Sequence, residues 1–269
     1  MEIENRISFQ IEGLEKDGGD LRFNIFIQQL DLIKKALSET QKLLSATQKT
    51  FIKVVDLEHN SPAQIVVEIT SEKAGDEIVG RQVANKFINS FEEIEKGKYP
   101  ENFTYDTFVA YKNIVSLKEK NKLREIKIFR NGNVPLNLDD TSKKIEKIMG
   151  KDQYELGSYT GFLDWINIHN QNILYIYPTS NLPKLKCTFS KKIKDDVIRS
   201  IGRYVTVYGE KVFKPAVPGF APYEMKITNI KIHREKEDLP KLSDFIGIAP
   251  NITGNKSSED YIRDIRDEW

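Results

Sequence analysis

The sequence predicts an α+β protein: an N-terminal α+β domain, then a five-stranded β-barrel, then a C-terminal helical tail. Three observations carry this reading. Between Arg6 and Met149, apolar residues alternate with period two in some stretches and recur at three- and four-residue steps in others. From Tyr154 to Glu235 the order becomes strand, strand, strand, short helix, strand, strand. The last dozen residues return to helical spacing. The expected divisions are 1–152, 153–235 and 236–269, with the first boundary in the Gly-Lys-Asp-Gln run at Gly150 to Gln153.

In the first part, Ile7, Phe9 and Ile11 alternate with polar residues from Arg6 to Ile11, the pattern of a strand with one buried face. Gly13 and the cluster Asp17-Gly18-Gly19-Asp20 mark a loop. Ile25, Ile27, Leu30, Ile33, Leu37 and Leu44 place a long amphipathic helix over Phe23 to Ala46. Phe51 to Leu57 and Gln64 to Ile69 read as an antiparallel pair joined through Glu58 to Ala63. Helices are expected over Asp76 to Glu95, ended by Gly97 and Pro100, and over Thr104 to Lys120, where Phe108, Tyr111, Ile114 and Leu117 share a face. Asn131-Gly132 within Glu125 to Leu138 is a strong hairpin signal, and Asp140 to Met149 is a last helix.

In the second part, Leu156 to His169 is a long strand with Gly157 and Gly161 where a small barrel coils tightly. After a turn at Asn170-Gln171, Asn172 to Tyr177 returns until Pro178. In Lys184 to Phe189 the residues Leu185, Cys187 and Phe189 point inward. Lys191 to Ser200 is a short helix with Ile193, Val197 and Ile198 on one side. Arg203 to Phe213 and Tyr223 to His233 complete the set, flanking a proline-rich loop from Lys214 to Pro222, with a bulge expected near Thr228-Asn229.

Composition bounds the function. The chain of 269 residues has 41 Lys+Arg against 40 Asp+Glu, so no global field selects polyanions or membranes. Charge is uneven, however: 154–235 holds twelve Lys+Arg and seven Asp+Glu, and 236–269 holds five and eight. The one cysteine excludes a disulfide framework, and Cys187 reads as core filling rather than a reactive thiol. No stretch approaches eighteen apolar residues and no leader pattern opens the chain, so a cytoplasmic protein without a membrane span is expected.

Catalytic signatures are absent from the string. His59, His169 and His233 have no partner at metal-ligand spacing, and no hydrolase or dinucleotide motif occurs. The adjacent pairs Asp139-Asp140 and Asp195-Asp196 are what forty acidic residues give by chance. The reading expects no metal and no cofactor, and favours a non-enzyme.

The element order from Tyr154 to Glu235, with a helix between strands three and four, resembles the OB fold, which implies single-stranded nucleic-acid binding through exposed aromatics. Trp165, Tyr175, Tyr177, Tyr204 and Tyr208 are the stacking candidates; the alternative is that they only cover the sheet. In the tail, Arg234 to Pro240 is a charged linker and Lys241 to Pro250 an extended segment. Ser257-Ser258 offers an N-cap to the final helix, on which Ile262, Ile265 and Trp269 share a face.

The terminal Tyr-Ile-Arg-Asp-Ile-Arg-Asp-Glu-Trp resembles the tails of bacterial antitoxins that neutralise PIN-domain ribonucleases. That resemblance implies a tail crossing the toxin's acidic, metal-binding cleft, with Arg263 or Arg266 occupying it. Tyr261, Ile262, Arg263, Ile265, Arg266 and Trp269 are then the partner-binding residues. The alternative is a helix packed on its own chain with Trp269 as anchor. As a whole, the chain resembles bacterial proteins with an α+β front and an OB-like back. The expected function is antitoxin-like capture of a PIN-type ribonuclease; the alternative is single-stranded nucleic-acid binding by the barrel.

Overall fold

The computed structural model describes residues 5–44, 50–58, 61–71, 77–130, 134–169, 171–179, 184–217, 221–234, 244 and 253–267. Strand β1 (Arg6–Glu12) buries Ile7, Phe9 and Ile11 completely while its polar residues stay half-buried, as the alternation predicts. A single 3-10 turn, Glu15–Asp17, leads to α1 (Phe23–Leu44), which buries Ile25, Ile33, Ala36 and Leu37. Ile27, expected on that stripe, is exposed: two residues from Ile25 is more than half a turn. Strands β2 (Thr50–Glu58) and β3 (Ala63–Ser71) pair antiparallel with a bulge between Val54 and Asp56. Helix α2 (Glu77–Glu95) follows; Ser45, Ala46, His59 and Asp76 lie outside the described residues.

The single helix expected over Thr104 to Lys120 is two: α3 (Tyr105–Ile114), capped by the Thr104 hydroxyl on the Thr107 N–H, and α4 (Ser116–Glu119). Val115 separates them at φ −90°, ψ −4°, yet Phe108, Tyr111, Ile114 and Leu117 are all buried as expected. Strand β4 (Glu125–Arg130) is followed by an arm that returns antiparallel to it, in keeping with the hairpin expected there, although the return is not itself a ladder strand. The return arm pairs Pro135 with Phe129 and the Leu136 N–H donates to the Ile128 carbonyl at 2.8 Å, so Pro135 occupies a non-hydrogen-bonded position where its missing N–H costs no ladder bond. Asn131-Gly132-Asn133 lies outside the described residues. Helix α5 (Thr141–Met149) ends the segment.

These four strands form an antiparallel sheet in the order β2-β3-β1-β4. Its buried face meets a cluster of aromatic rings, with Phe87 at 6.3 Å from Phe9, 5.2 Å from Phe91 and 5.3 Å from Tyr111. The Tyr111 hydroxyl sits 2.8 Å from the Thr40 hydroxyl, which donates to the Ala36 carbonyl, and burial pushes the phenol's pKa up. Gly80 is obligatory: a Cβ there would stand 2.0 Å from the Ile69 carbonyl oxygen, so only glycine lets α2 close on β3.

The remaining strands are β5 (Gln153–Asn167), β6 (Ile173–Tyr177), β7 (Leu185–Phe189), β8 (Tyr204–Phe213) and β9 (Glu224–Ile232), closed in the order β5-β6-β7-β9-β8. Leu163, Leu174, Ile176, Leu185, Cys187, Val205, Val207 and Met225 are all fully buried. Between β7 and β8 a 3-10 turn leads into α6 (Lys194–Arg199), whose Val197 is fully buried while Ile198 is exposed. On β9 the alternation slips at Thr228 and Asn229, both exposed, after buried Met225 and Ile227. Tyr223 donates to Val212 and His233 to Tyr204, so the stretch through β9 is two residues longer than the stretch of β8 it faces, more than one simple bulge supplies.

The chain divides into two compact units: Met1–Gly157 with Glu210–Lys226, and Ser158–Gly209 with Ile227–Trp269. Strands β5, β8 and β9 have residues in both. Within the first unit, Asp152 accepts from Lys214 at 2.7 Å and from the Tyr223 hydroxyl at 2.9 Å, and Tyr223 stacks on Tyr105 at 3.9 Å. No described helix is long and apolar enough to cross a membrane.

Candidate functional site

Two features of the second unit hold the side chains singled out in the sequence. The first is the outer face of the barrel strands. β5 and β6 pair Phe162 with Tyr177 and Trp165 with Tyr175, and Asp164 is the extra residue of a bulge between them. The bulge turns two residues three apart in sequence to the same side. Phe162 is 48% and Trp165 44% exposed. Tyr175 lies opposite Lys186 on β7, and the Lys184 ammonium sits 5.0 Å from the Tyr175 ring centre.

The row continues across β5 onto β8 and past β9. Trp165 and Tyr175 approach to 5.3 Å, Phe162 and Tyr204 to 5.0 Å, and Tyr204 and His233 to 5.4 Å, with interplanar angles of 49° to 59°. His233 Nε2 lies 2.7 Å from the Thr206 hydroxyl, which lies 2.7 Å from the Thr160 hydroxyl. Thr206 is thereby engaged on both sides and fixes the imidazole; it is not a free nucleophile.

Of the stacking candidates, Trp165, Tyr175, Tyr177 and Tyr204 gather in this row. Tyr208 is exposed elsewhere on β8, with no ring partner among the described residues. Phe162, His233 and Lys184 belong to the row and were not expected. Gly161 beside Phe162 allows β5 to approach β6, since a Cβ there would stand 2.4 Å from the Tyr177 carbonyl oxygen. Residues 158–209 and 227–234 hold nine Lys+Arg against three Asp+Glu, a denser surplus than 154–235 as a whole.

The second feature is α7 (Ser258–Asp267). Ser257 caps it: its hydroxyl accepts from the Asp260 N–H at 3.2 Å and donates to the Asp260 carboxylate at 2.7 Å. Glu259 and Asp260 occupy the first turn, where the helix dipole favours acids. No residue of the helix is buried; Ile262 is 65% and Ile265 45% exposed. Arg266 follows Ile262 by four residues and so shares its side, whereas Arg263 lies about 100° round. Among the described residues both guanidiniums have loose local partners, Arg263 with Asp260 at 3.6 Å and Arg266 with Asp267 at 3.8 Å. Trp269 lies outside the described residues, as do residues 235–243 and 245–252.

Three of the four paired acids meet cations: Asp139 pairs with Lys118, Asp140 with Lys143 and Asp196 with Arg199. The hydrogen bond from Lys143 holds the Asp140 carboxyl below its usual range. Among the described residues no three His, Cys, Asp or Glu side chains gather as a metal site. A groove of about 470 Å³ between α1 and β2 is floored by Ile52, Val67 and Ile69. No protein-family model, curated protein or solved structure matches the chain.

Proposed function

We propose that this chain is a non-enzymatic, antitoxin-like interaction protein that captures a PIN-type ribonuclease through α7. The carrying observation is a capped helix whose apolar residues, Ile262 and Ile265, are left uncovered by the described residues of their own chain. A ten-residue helix is marginal in water, so it is suited to folding fully against a surface. Arg266 stands beside the apolar pair, and a loosely held guanidinium can exchange a local carboxylate for a bidentate pair in an acidic cleft. In this reading the barrel is OB-like: five strands, a helix between the third and fourth, and closure through the first and fourth. The reading assigns a cytoplasmic setting, where Cys187 stays reduced.

The test is inhibition of RNA cleavage by a purified PIN-type ribonuclease from the same organism. The full chain is expected to inhibit it at equimolar concentration. Arg263→Ala with Arg266→Ala should keep the melting temperature and weaken inhibition by at least tenfold, since removing one partner of a buried charge pair costs about 2–5 kcal/mol. Equal inhibition by the double variant would refute the assigned role of the arginines.

A further inference from the structure

Independently of the tail, we propose that β2 is a self-pairing edge: two copies of the chain join β2 to β2 antiparallel about a two-fold axis at Val54, fusing their four-stranded sheets into one. β2 ends its sheet, and among the described residues no strand lies beyond it. The other end of the sheet is treated differently. There the Pro135-Leu136 arm lies along β4, with the Leu136 N–H bonded to the Ile128 carbonyl. A long bare edge is a template for another chain, and β2 runs for nine residues. Its core face is also left open. Ile52, Val54 and Leu57 lie opposite the buried Ile69, Val67 and Ile65, and directly opposed residues share a face. Yet Val54 is 57% and Leu57 53% exposed, and beside them runs the groove of about 470 Å³ whose other wall is Leu30, Ile33 and Leu37 of α1.

Charge complementarity selects a second copy as the occupant. Lys53 and Asp56 stand on the other face of β2, opposite Glu68 and Val66, and the Lys53 ammonium lies 5.1 Å from the Phe51 ring centre on that face. Among the described residues neither Lys53 nor Asp56 is ion-paired, because Glu68 is already held by Arg6 at 2.9 Å. A lone lysine on an edge repels an incoming strand; one that meets an acid across the seam draws it in. Val55 is the extra residue of the bulge and takes no ladder position. Counted without it, a two-fold at Val54 sets Val54 opposite Val54, Ile52 opposite Leu57 and Lys53 opposite Asp56, the last two pairs made twice. The apolar pairs then fall on the core face and the ion pairs on the outer face. Moving the axis one ladder position either way sets Lys53 against Lys53 or Asp56 against Asp56, so charge fixes the register as well as the partner.

The experiment is sedimentation equilibrium of the full chain at concentrations up to about 100 μM. The mass should rise with concentration toward twice the 31.1 kDa of one chain. Lys53→Glu and Asp56→Lys, each alone, set like charges across the seam and should weaken pairing about tenfold or more. Mixed in equal amounts, the two single variants should pair again, because each mixed dimer restores both opposite-charge contacts. Under mild oxidation Val54→Cys should link two chains by a disulfide across the axis, whereas the parent chain, whose Cys187 is buried, and the exposed control Lys122→Cys should not. Circular dichroism of each variant separates lost pairing from lost fold. A parent chain that stays monomeric over the whole range would overturn the proposal. So would folded single variants that dimerise as the parent does, a folded mixture that fails to pair, or Val54→Cys that links no faster than the control.

Discussion

Replacing Ile262 and Ile265 together by serine separates a helix waiting for a partner from one docked on its own chain. Burying an isoleucine side chain completely is favourable by about 1.5–3 kcal/mol. The two residues are 65% and 45% exposed, so together slightly more than one whole side chain remains uncovered. A partner that covers both gains about 2–3 kcal/mol, roughly 30- to 150-fold in affinity. The free chain should gain little of this, because no residue of α7 is buried. The double variant should therefore change stability by about 0.5 kcal/mol or less, the usual range for surface substitutions. For a chain this long that is a shift of at most about 2 °C in melting temperature. The assay is paired: thermal unfolding of the free chain, and inhibition of the ribonuclease. A loss above about 1 kcal/mol in the free chain would refute the reasoning, since it would mean the chain already buries this face.

Two further outcomes follow from the first unit. Phe87→Ala removes the ring that Phe9, Phe91 and Tyr111 all contact and should cost about 3–5 kcal/mol, read by urea unfolding. Partial burial raises the Asp152 pKa, but the hydrogen bonds from Lys214 and Tyr223 and the Lys214 charge outweigh it and leave the carboxyl below its usual value. A depressed carboxyl adds stability above its unfolded pKa and loses it as pH falls through the folded one. Asp152→Asn should therefore lower stability at pH 7 by about 0.5–1 kcal/mol, with the difference from the parent chain shrinking as acidification protonates the Asp152 carboxylate. Unfolding free energies measured across that range check the sign.

Much of the fold was legible because burial imposes a period. Ile7, Phe9 and Ile11 alternate, and Phe87, Phe91 and Ile94 step by four and three, so strand and helix declare themselves. The failures have local causes. Ile27 lies two residues from Ile25, more than half a turn round the helix, and so falls off the buried stripe expected to include it. Val115 breaks a helix whose apolar spacing runs on unbroken, because its buried face continues while the backbone turns.

The ring row was half legible. Trp165, Tyr175, Tyr177 and Tyr204 were named as single residues, but their company depends on register. The bulge at Asp164 brings Phe162 into line with Trp165 despite odd spacing. His233 joins through Thr206, a contact across two strands that no periodicity encodes. For α7 the cap and the apolar spacing could be read, whereas the exposure of Ile262 and Ile265 could not.

The discontinuity of the first unit bears on how the chain is born. Residues 210–226 belong to that unit, yet 158–209 must leave the ribosome before them. At about 5–20 residues per second, that stretch takes roughly 3–10 s to synthesise. Throughout that interval Tyr105 lacks the ring that stacks on it and Asp152 lacks both Lys214 and Tyr223. The nascent chain thus holds an early α+β sheet with its last clasp still unmade, and completion of that unit is timed by translation rather than by its own sheet.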